Sequence, residues 1–206
     1  MRIGVTGLLT VVTLVAAACG GGHGGAAEPP STSSLASVPV SSATATPAMS
    51  PTSPATSGPN LRPGERPPAM PAAAKQHTQE GALAFAGYFI RALDWSIATT
   101  DPSLLVPISS PSCAACNSYI SRLNSLRRAR GYLQGGRLKL ISEKIVTGSF
   151  SIRSDYVIVT RTYQEAVLLI SPRVKPSHIS DAIQDESRVY LVWARNGWIA
   201  VEQGGS

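Results

Sequence analysis

The sequence predicts an α+β domain in which helices come first and pack on a curved antiparallel sheet. Three observations carry this. Between Lys75 and Thr99 apolar residues recur at helical spacing, at Ala82, Ala86, Phe89, Ile90, Leu93 and Ile97. After Gln134–Gly135–Gly136 the chain turns to short β-branched and aromatic runs. Near its end, Asn196–Gly197 separates two apolar runs, the favoured pair for a two-residue hairpin turn. Helices followed by antiparallel strands is an α+β order.

Ahead of that domain the chain carries an address. Met1–Arg2 is a short positive start, Ile3 to Val15 is almost unbroken apolar sequence, and Ala16–Ala17–Ala18 lead into Cys19. The apolar run is too short to span a bilayer as a helix, which makes residues 1–18 a cleaved export signal. The Ala-Ala-Ala-Cys junction resembles the lipobox of bacterial lipoproteins, with Ala16 where leucine is usual. That resemblance implies Cys19 as the lipidation site and first mature residue, a membrane partner reached through its acyl chains, and the outer face of the cell membrane as location. A plain secretory signal cleaved near Ala18 is the alternative. Residues 19–73 are rich in Pro, Ser, Thr and Ala and hold no aromatic residue. Such a stretch cannot bury enough apolar surface to offset its chain entropy, and it is expected to be a disordered tether. The domain is then expected over residues 74–206.

Each element follows in order. The first helix runs over Lys75–Thr99 and stops at Asp101–Pro102, since the residue before proline is pushed out of the helical region. Ser103–Ile108 is a short apolar turn or helix. Ser110 has the side chain of an N-cap, with Pro111 at the first helical position. The helix it opens reaches about Arg130, with Cys113, Cys116, Ile120, Leu123 and Leu126 inward and Gly131 as terminal glycine. Strands are expected over Leu138–Val146, Asp155–Tyr163 and Ala166–Ile170, a loop with one helical turn around Ser180–Ile183 over Pro172–Asp185, and a hairpin over Ser187–Glu202. A turn on Asn196–Gly197 pairs Arg195 with Trp198, Trp193 with Ala200 and Leu191 with Glu202. Both hairpin faces are apolar. One is expected on the helices, the other against a second layer, a ligand or a second copy of the chain, a homodimer through the sheet.

The helical pieces, the sheet and the closing strand–Asn–Gly–Trp–strand hairpin resemble the NTF2-like (cystatin-like) α+β roll. The lipobox, the tether, PPAMPAAAKQHTQEGALAFAGYFIRALDWSIATTD, SSPSCAACNSYI and the terminal RNGWIAVE together resemble a family of uncharacterised actinobacterial lipoproteins of unknown function. The resemblance implies compartment and fold, and no activity.

The candidate chemistry is thin. Cys113 and Cys116 form a single C-x-x-C, without the second ligand pair of a zinc site, and His23, His77 and His178 have no ligand spacing. No metal and no cofactor is expected. In an oxidising compartment the two thiols pair as a local disulfide; redox exchange is the alternative, but the strand and later proline that frame a thioredoxin motif are missing. Tyr88, Asp94 and Tyr156 are the polar residues expected to reach a pocket in the roll, with Asp155 beside them. A surface ion pair of Asp94 with Arg91 is the simpler account of that carboxylate. Arg122, Arg127, Arg128 and Arg130 complement the second helix's dipole and form a candidate patch for an anionic partner. The chain carries 18 Lys and Arg against 12 Asp and Glu, but no basic run interleaved with aromatics, so nucleic acid is not expected. No catalytic constellation stands out. A non-catalytic module that binds an envelope protein or polymer is expected, with a small-molecule carrier or an enzyme built on the same roll as the alternative.

Overall fold

The computed structural model describes residues 53–147, 152–195 and 197–205. Cys19, the expected export signal and most of the expected tether lie outside the described residues. The architecture is α+β, with two helices and seven strands described.

Helix α1 spans Gln79–Thr99. It starts at Gln79 and not at Lys75, because Thr78 caps it: its hydroxyl accepts the Gly81 N–H at 3.0 Å. Ala73–Lys75 forms a separate 3-10 turn, and Gln76 is extended. Thr100, left-handed at φ 57°, closes α1, and Asp101 leaves the helical region ahead of Pro102 as expected. Two 3-10 turns follow, Pro102–Leu104 and Val106–Ile108.

Helix α2 spans Ala114–Arg128. Its N-cap is Cys113, whose sulfur accepts the Cys116 N–H at 3.2 Å, and not Ser110. Ser110 instead builds the turn before the helix, its carbonyl accepting the Cys113 N–H. At the other end Gly131 donates to the Leu126 carbonyl at 2.8 Å and Arg130 to Arg127 at 3.1 Å. This is a Schellman closure whose left-handed residue is Arg130, at φ 54°, and not Gly131.

Strands β1 (Tyr132–Gly135), β4 (Val167–Ser171) and β5 (Val174–Ser180) make one antiparallel sheet in the order β1-β4-β5. Strands β2 (Leu138–Val146), β3 (Tyr156–Gln164), β6 (Ile183–Ala194) and β7 (Gly197–Gly205) make a second in the order β2-β3-β6-β7. β1 replaces most of the expected turn, and β5 lies where a loop was expected. β5 is exposed along nearly its whole length and contains Pro176, so it shows no apolar alternation; it is an edge strand, where proline is tolerated.

The closing hairpin forms with a different register. Trp193 faces Trp198, Val192 faces Ile199 and Leu191 faces Ala200. Arg195 sits in the turn at φ 59° and is not paired with Trp198. Asn196 lies outside the described residues. A bulge after Tyr190/Leu191 then sets Tyr190 opposite Glu202. As far as Ala200 each side chain keeps its expected face, because pairs move in steps of two; beyond the bulge Glu202 shares the face of Tyr190 and not, as expected, that of Leu191. Trp198 is covered by His77 and Trp193, not by Arg195.

One core joins α1 to the four-stranded sheet, with Phe85, Phe89, Ile90 and Leu93 against Ile158, Val189, Leu191 and Ala200. α1 is buried on its other side as well, by residues 53–70. The Trp95 indole donates to the Ala55 carbonyl at 3.0 Å and the Asn60 N–H to the Ala98 carbonyl at 3.1 Å. Gly58 lies so close that a Cβ there would stand 2.5 Å from the Thr99 Cα. Residues 53–73 therefore belong to the folded unit and not to the tether.

This strap, residues 53–70, is held by Arg137, the residue before β2, whose side chain is 9% exposed. Its Nε and one terminal nitrogen donate to Asp94 at 2.9 and 2.7 Å. The terminal nitrogens donate to Glu65 at 3.0 and 3.1 Å and to the Asn60 carbonyl at 3.1 Å. Asp94 also accepts the Leu138 N–H at 2.7 Å. Asp94 is thus bound across the fold and is not paired with Arg91. The hydrogen bond to Asp94 raises the Arg137 pKa, against burial and with help from Glu65. The hydrogen bond from Arg137 holds the Glu65 carboxyl below its ordinary value, with burial opposing.

Replacing Arg137 with Ala leaves two partly buried carboxylates unpaired and is expected to lower stability by about 3–5 kcal/mol in urea unfolding. Because Glu65 has a lowered folded pKa, its contribution is complete above its ordinary value of 4.5 and is lost as pH falls below it. Unfolding at pH 6 and pH 3 reads this, and Glu65→Gln flattens the difference.

The hairpin gives a second prediction. Arg195→Gly relieves a left-handed non-glycine residue and is expected to add about 0.5–1 kcal/mol. Gly197→Val is expected to be tolerated within about 0.5 kcal/mol, since a Cβ at Gly197 meets nothing within 4 Å. Thermal melts of both variants check this.

Candidate binding groove

The inward face of the four-stranded sheet divides in two. Ile158 faces Val189 across β3 and β6, and this half is filled by apolar side chains. Toward the other end Thr160 faces Ser187, Thr162 faces Asp185 and Gln164 faces Ile183. Thr160, Thr162 and Ser187 are 0%, 8% and 9% exposed, so hydroxyls occupy interior positions. The division follows from alternation in β3, where residues 158, 160, 162 and 164 point one way and read Ile, Thr, Thr, Gln.

A groove of about 240 Å³ opens over this polar half. One wall is α1, through Ile90, Leu93 and Ile97, and the other is α2, through Ala115 and Tyr119. Thr162, Gln164, Asp185, Ser187 and Gln203 supply its hydrogen-bonding groups. A second hollow of about 160 Å³ shares Ile97, Tyr119 and Gln164 and carries on to Arg122, Leu133, Val167 and Ile179. The two hollows lie side by side along α2, with Asp185 lining the first and Arg122 the second. The Thr160 and Ser187 hydroxyls stand 3.1 Å apart and share a hydrogen bond. Gln203 Oε1 is buried and has no hydrogen-bond partner among the described residues.

Tyr88, Asp94 and Tyr156 are not brought together, and none lines this groove. Tyr88 is buried on α1, where burial raises its phenol pKa against the Arg91 charge. Asp94 is consumed by Arg137. Tyr156 stands in an aromatic corner with Trp198, ring centroids 5.7 Å apart. In the same corner His77 stacks on Trp193 at 4.9 Å, Trp198 donates to the Gln76 carbonyl at 3.0 Å, and Asp155 accepts the Trp193 N–H at 2.7 Å. These contacts pin the entry to α1 on the closing hairpin. The arginines divide as well. Arg127 pairs with Asp101 at 3.2 Å, Arg128 donates to Ser125, and Arg122 lines the groove. Among the described residues no group of three or more His, Cys, Asp or Glu is placed to hold a metal.

Cys113 and Cys116 are disulfide-bonded, with Cα atoms 5.3 Å apart. Both are buried, at 0% and 2% exposure, which keeps a partner thiolate from either sulfur. The bridge pins the first turn of α2, beside Glu202, whose carboxylate accepts the Ala115 N–H at 3.4 Å.

Residues 54–204 match the model of DUF6318, a family of unknown function. The chain belongs to this family. The matched stretch opens one residue before Ala55, where among the described residues the strap is first hydrogen-bonded to the domain. No curated protein matches the chain. Among solved structures, it is similar to the intermembrane space region of the chloroplast protein ARC6, at 11% identity and a TM-score of 0.43, over 63% of this chain and 97% of that one. No helix among the described residues is long and apolar enough to cross a membrane.

The disulfide closes a very short loop. Replacing both cysteines with Ala is expected to cost about 2 kcal/mol in urea unfolding, and a thiol titration of native protein purified without reductant is expected to find neither Cys113 nor Cys116.

Proposed function

We propose that this family member is a lipid-anchored, non-catalytic binding module of the cell envelope, built on an NTF2-like α+β roll, and that the groove along α2 is its binding site. The observation that carries the reading is the polar half of an otherwise apolar inner sheet face. Thr162, Gln164, Asp185, Ser187 and Gln203 offer hydroxyls, amides and one carboxylate beside the Tyr119 ring. These groups hold a ligand by hydrogen bonds, with apolar contact from Ile90, Leu93 and Ile97. A polar, largely uncharged segment of an envelope molecule has matching chemistry, and a volume near 240 Å³ takes one ring-sized or residue-sized unit of it. The anchor is Cys19, on the lipobox reading; two or three acyl chains make a stable attachment where one does not.

A photo-crosslinking amino acid at Tyr119 in intact cells is expected to capture a discrete adduct. The same probe combined with Ser187→Val and Gln203→Leu is expected to lose it, and a probe at Arg153 is expected never to form it. Equal capture at Tyr119 and Arg153, or capture indifferent to the groove substitutions, overturns the binding site. Cys19→Ala is expected to leave the precursor uncleaved or to release the domain into the medium. Fractionation and migration identical to the wild type overturn the anchor.

A further inference from the structure

We infer that the end of the domain where the chain enters it is a surface for an anionic membrane. Among the described residues the strap is first hydrogen-bonded at Ala55, whose N–H donates to Asp101 Oδ2 at 3.0 Å. Asp101 Oδ1 accepts from Arg127, in the last turn of α2, at 3.2 Å. The entry point and the C-terminal end of α2 are therefore side by side. Arg128 and Arg130 close α2, and Tyr132, two residues on, pairs with Ile170 of β4. The β4–β5 turn that follows Ser171 thus lies at this same end and brings Arg173, Val174 and Lys175 to it.

The chemistry of this end is one-sided. Between residues 114 and 131, and again between 166 and 180, the chain has no Asp or Glu. Asp101 is satisfied by Arg127, and among the described residues no carboxylate pairs with Arg128, Arg130, Arg173 or Lys175. Val174 is 55% exposed between Arg173 and Lys175 at the hairpin tip. An apolar side chain flanked by cations suits the interface of an anionic bilayer, where the cations meet lipid phosphates and the apolar group enters the headgroup layer. A soluble polyanion offers the phosphates but no place for Val174. The surface does not depend on the proposed anchor.

The test uses the unacylated polypeptide Gly20–Ser206, so that the surface is read without the anchor. Sedimentation with vesicles of phosphatidylcholine containing 30% phosphatidylglycerol is expected to show binding that is absent on phosphatidylcholine alone and lost in 0.5 M salt. Removing Arg130 or Lys175 as Ala variants is expected to weaken partitioning about fivefold each, and Val174→Asp to weaken it further. Arg153→Glu, at the opposite end beside Asp155, is expected to leave it within twofold, and circular dichroism confirms that each variant is folded. Equal sedimentation with both vesicle types, or loss by Arg153→Glu equal to that by Arg130→Ala, overturns the inference. So does tight binding to soluble polyglycerol phosphate with no response to vesicles. Failure of the anchor appears separately, as an unmodified Cys19 in the mass spectrum of protein from cells.

Discussion

The side chain of Arg137 is the junction on which the arrangement of this domain depends. A guanidinium has five N–H donors, and here each has an acceptor: two oxygens on Asp94, two on Glu65 and the Asn60 carbonyl. Those acceptors come from helix α1 and from the strap, while the arginine belongs to the first residue before β2. Three segments distant in sequence are thus fixed to one planar group. Burying one cation beside two anions is tolerable only because the hydrogen bonding is complete; removing any partner leaves charge in a poorly solvated place. The direction of the two pKa shifts, up for Arg137 and down for Glu65, is the same statement in terms of protons.

Helix α1 explains why the strap is needed. From Gly81 to Thr99 only Arg91 and Asp94 are charged, and residues on every side of the helix are buried. A helix that is apolar all round must be covered all round. The sheet covers one side, and residues 53–70 cover the other through Trp95, Ala98 and Thr99. Composition alone makes that strap look like tether, since it is built of Pro, Gly, Ser and Thr like the residues before it. The signal was in the helix it covers.

Much of the α+β order was legible, and the misses have physical causes. Long segments such as α1 and β3 are readable because burial selects apolar residues along them; β2, with no buried residue, is readable only from its moderate alternation. β1 was missed because four residues carry no period, and β5 because an exposed edge strand with Pro176 has none to carry. The caps were misassigned by choosing the usual residue, Ser110 or Gly131, where a sulfur and an arginine hold the position. The hairpin slipped by one pair, as the turn falls one residue earlier than Asn196–Gly197 suggests. Of the candidate pocket residues, Tyr88, Asp94 and Tyr156 were singled out by type. Type alone does not say that Asp94 meets Arg137, 43 positions away.

The groove was readable in the strands instead. On β3 and β6 the inward positions run from Ile158 and Val189 to Thr160, Thr162, Asp185 and Ser187. Valine has the shape of threonine without a hydroxyl to desolvate, so it would fill an interior position at lower cost. Packing therefore does not account for two threonines and a serine on a buried sheet face. Thr160 and Ser187 answer part of the cost by bonding each other, but that leaves the Thr162 hydroxyl at the groove and the Gln203 carbonyl oxygen buried without a donor. Thr162 and Gln203 both line the hollow between α1 and α2, where Tyr119 stays 40% exposed. The polar half of this sheet face therefore borders an open hollow, while the half around Ile158 and Val189 is packed shut.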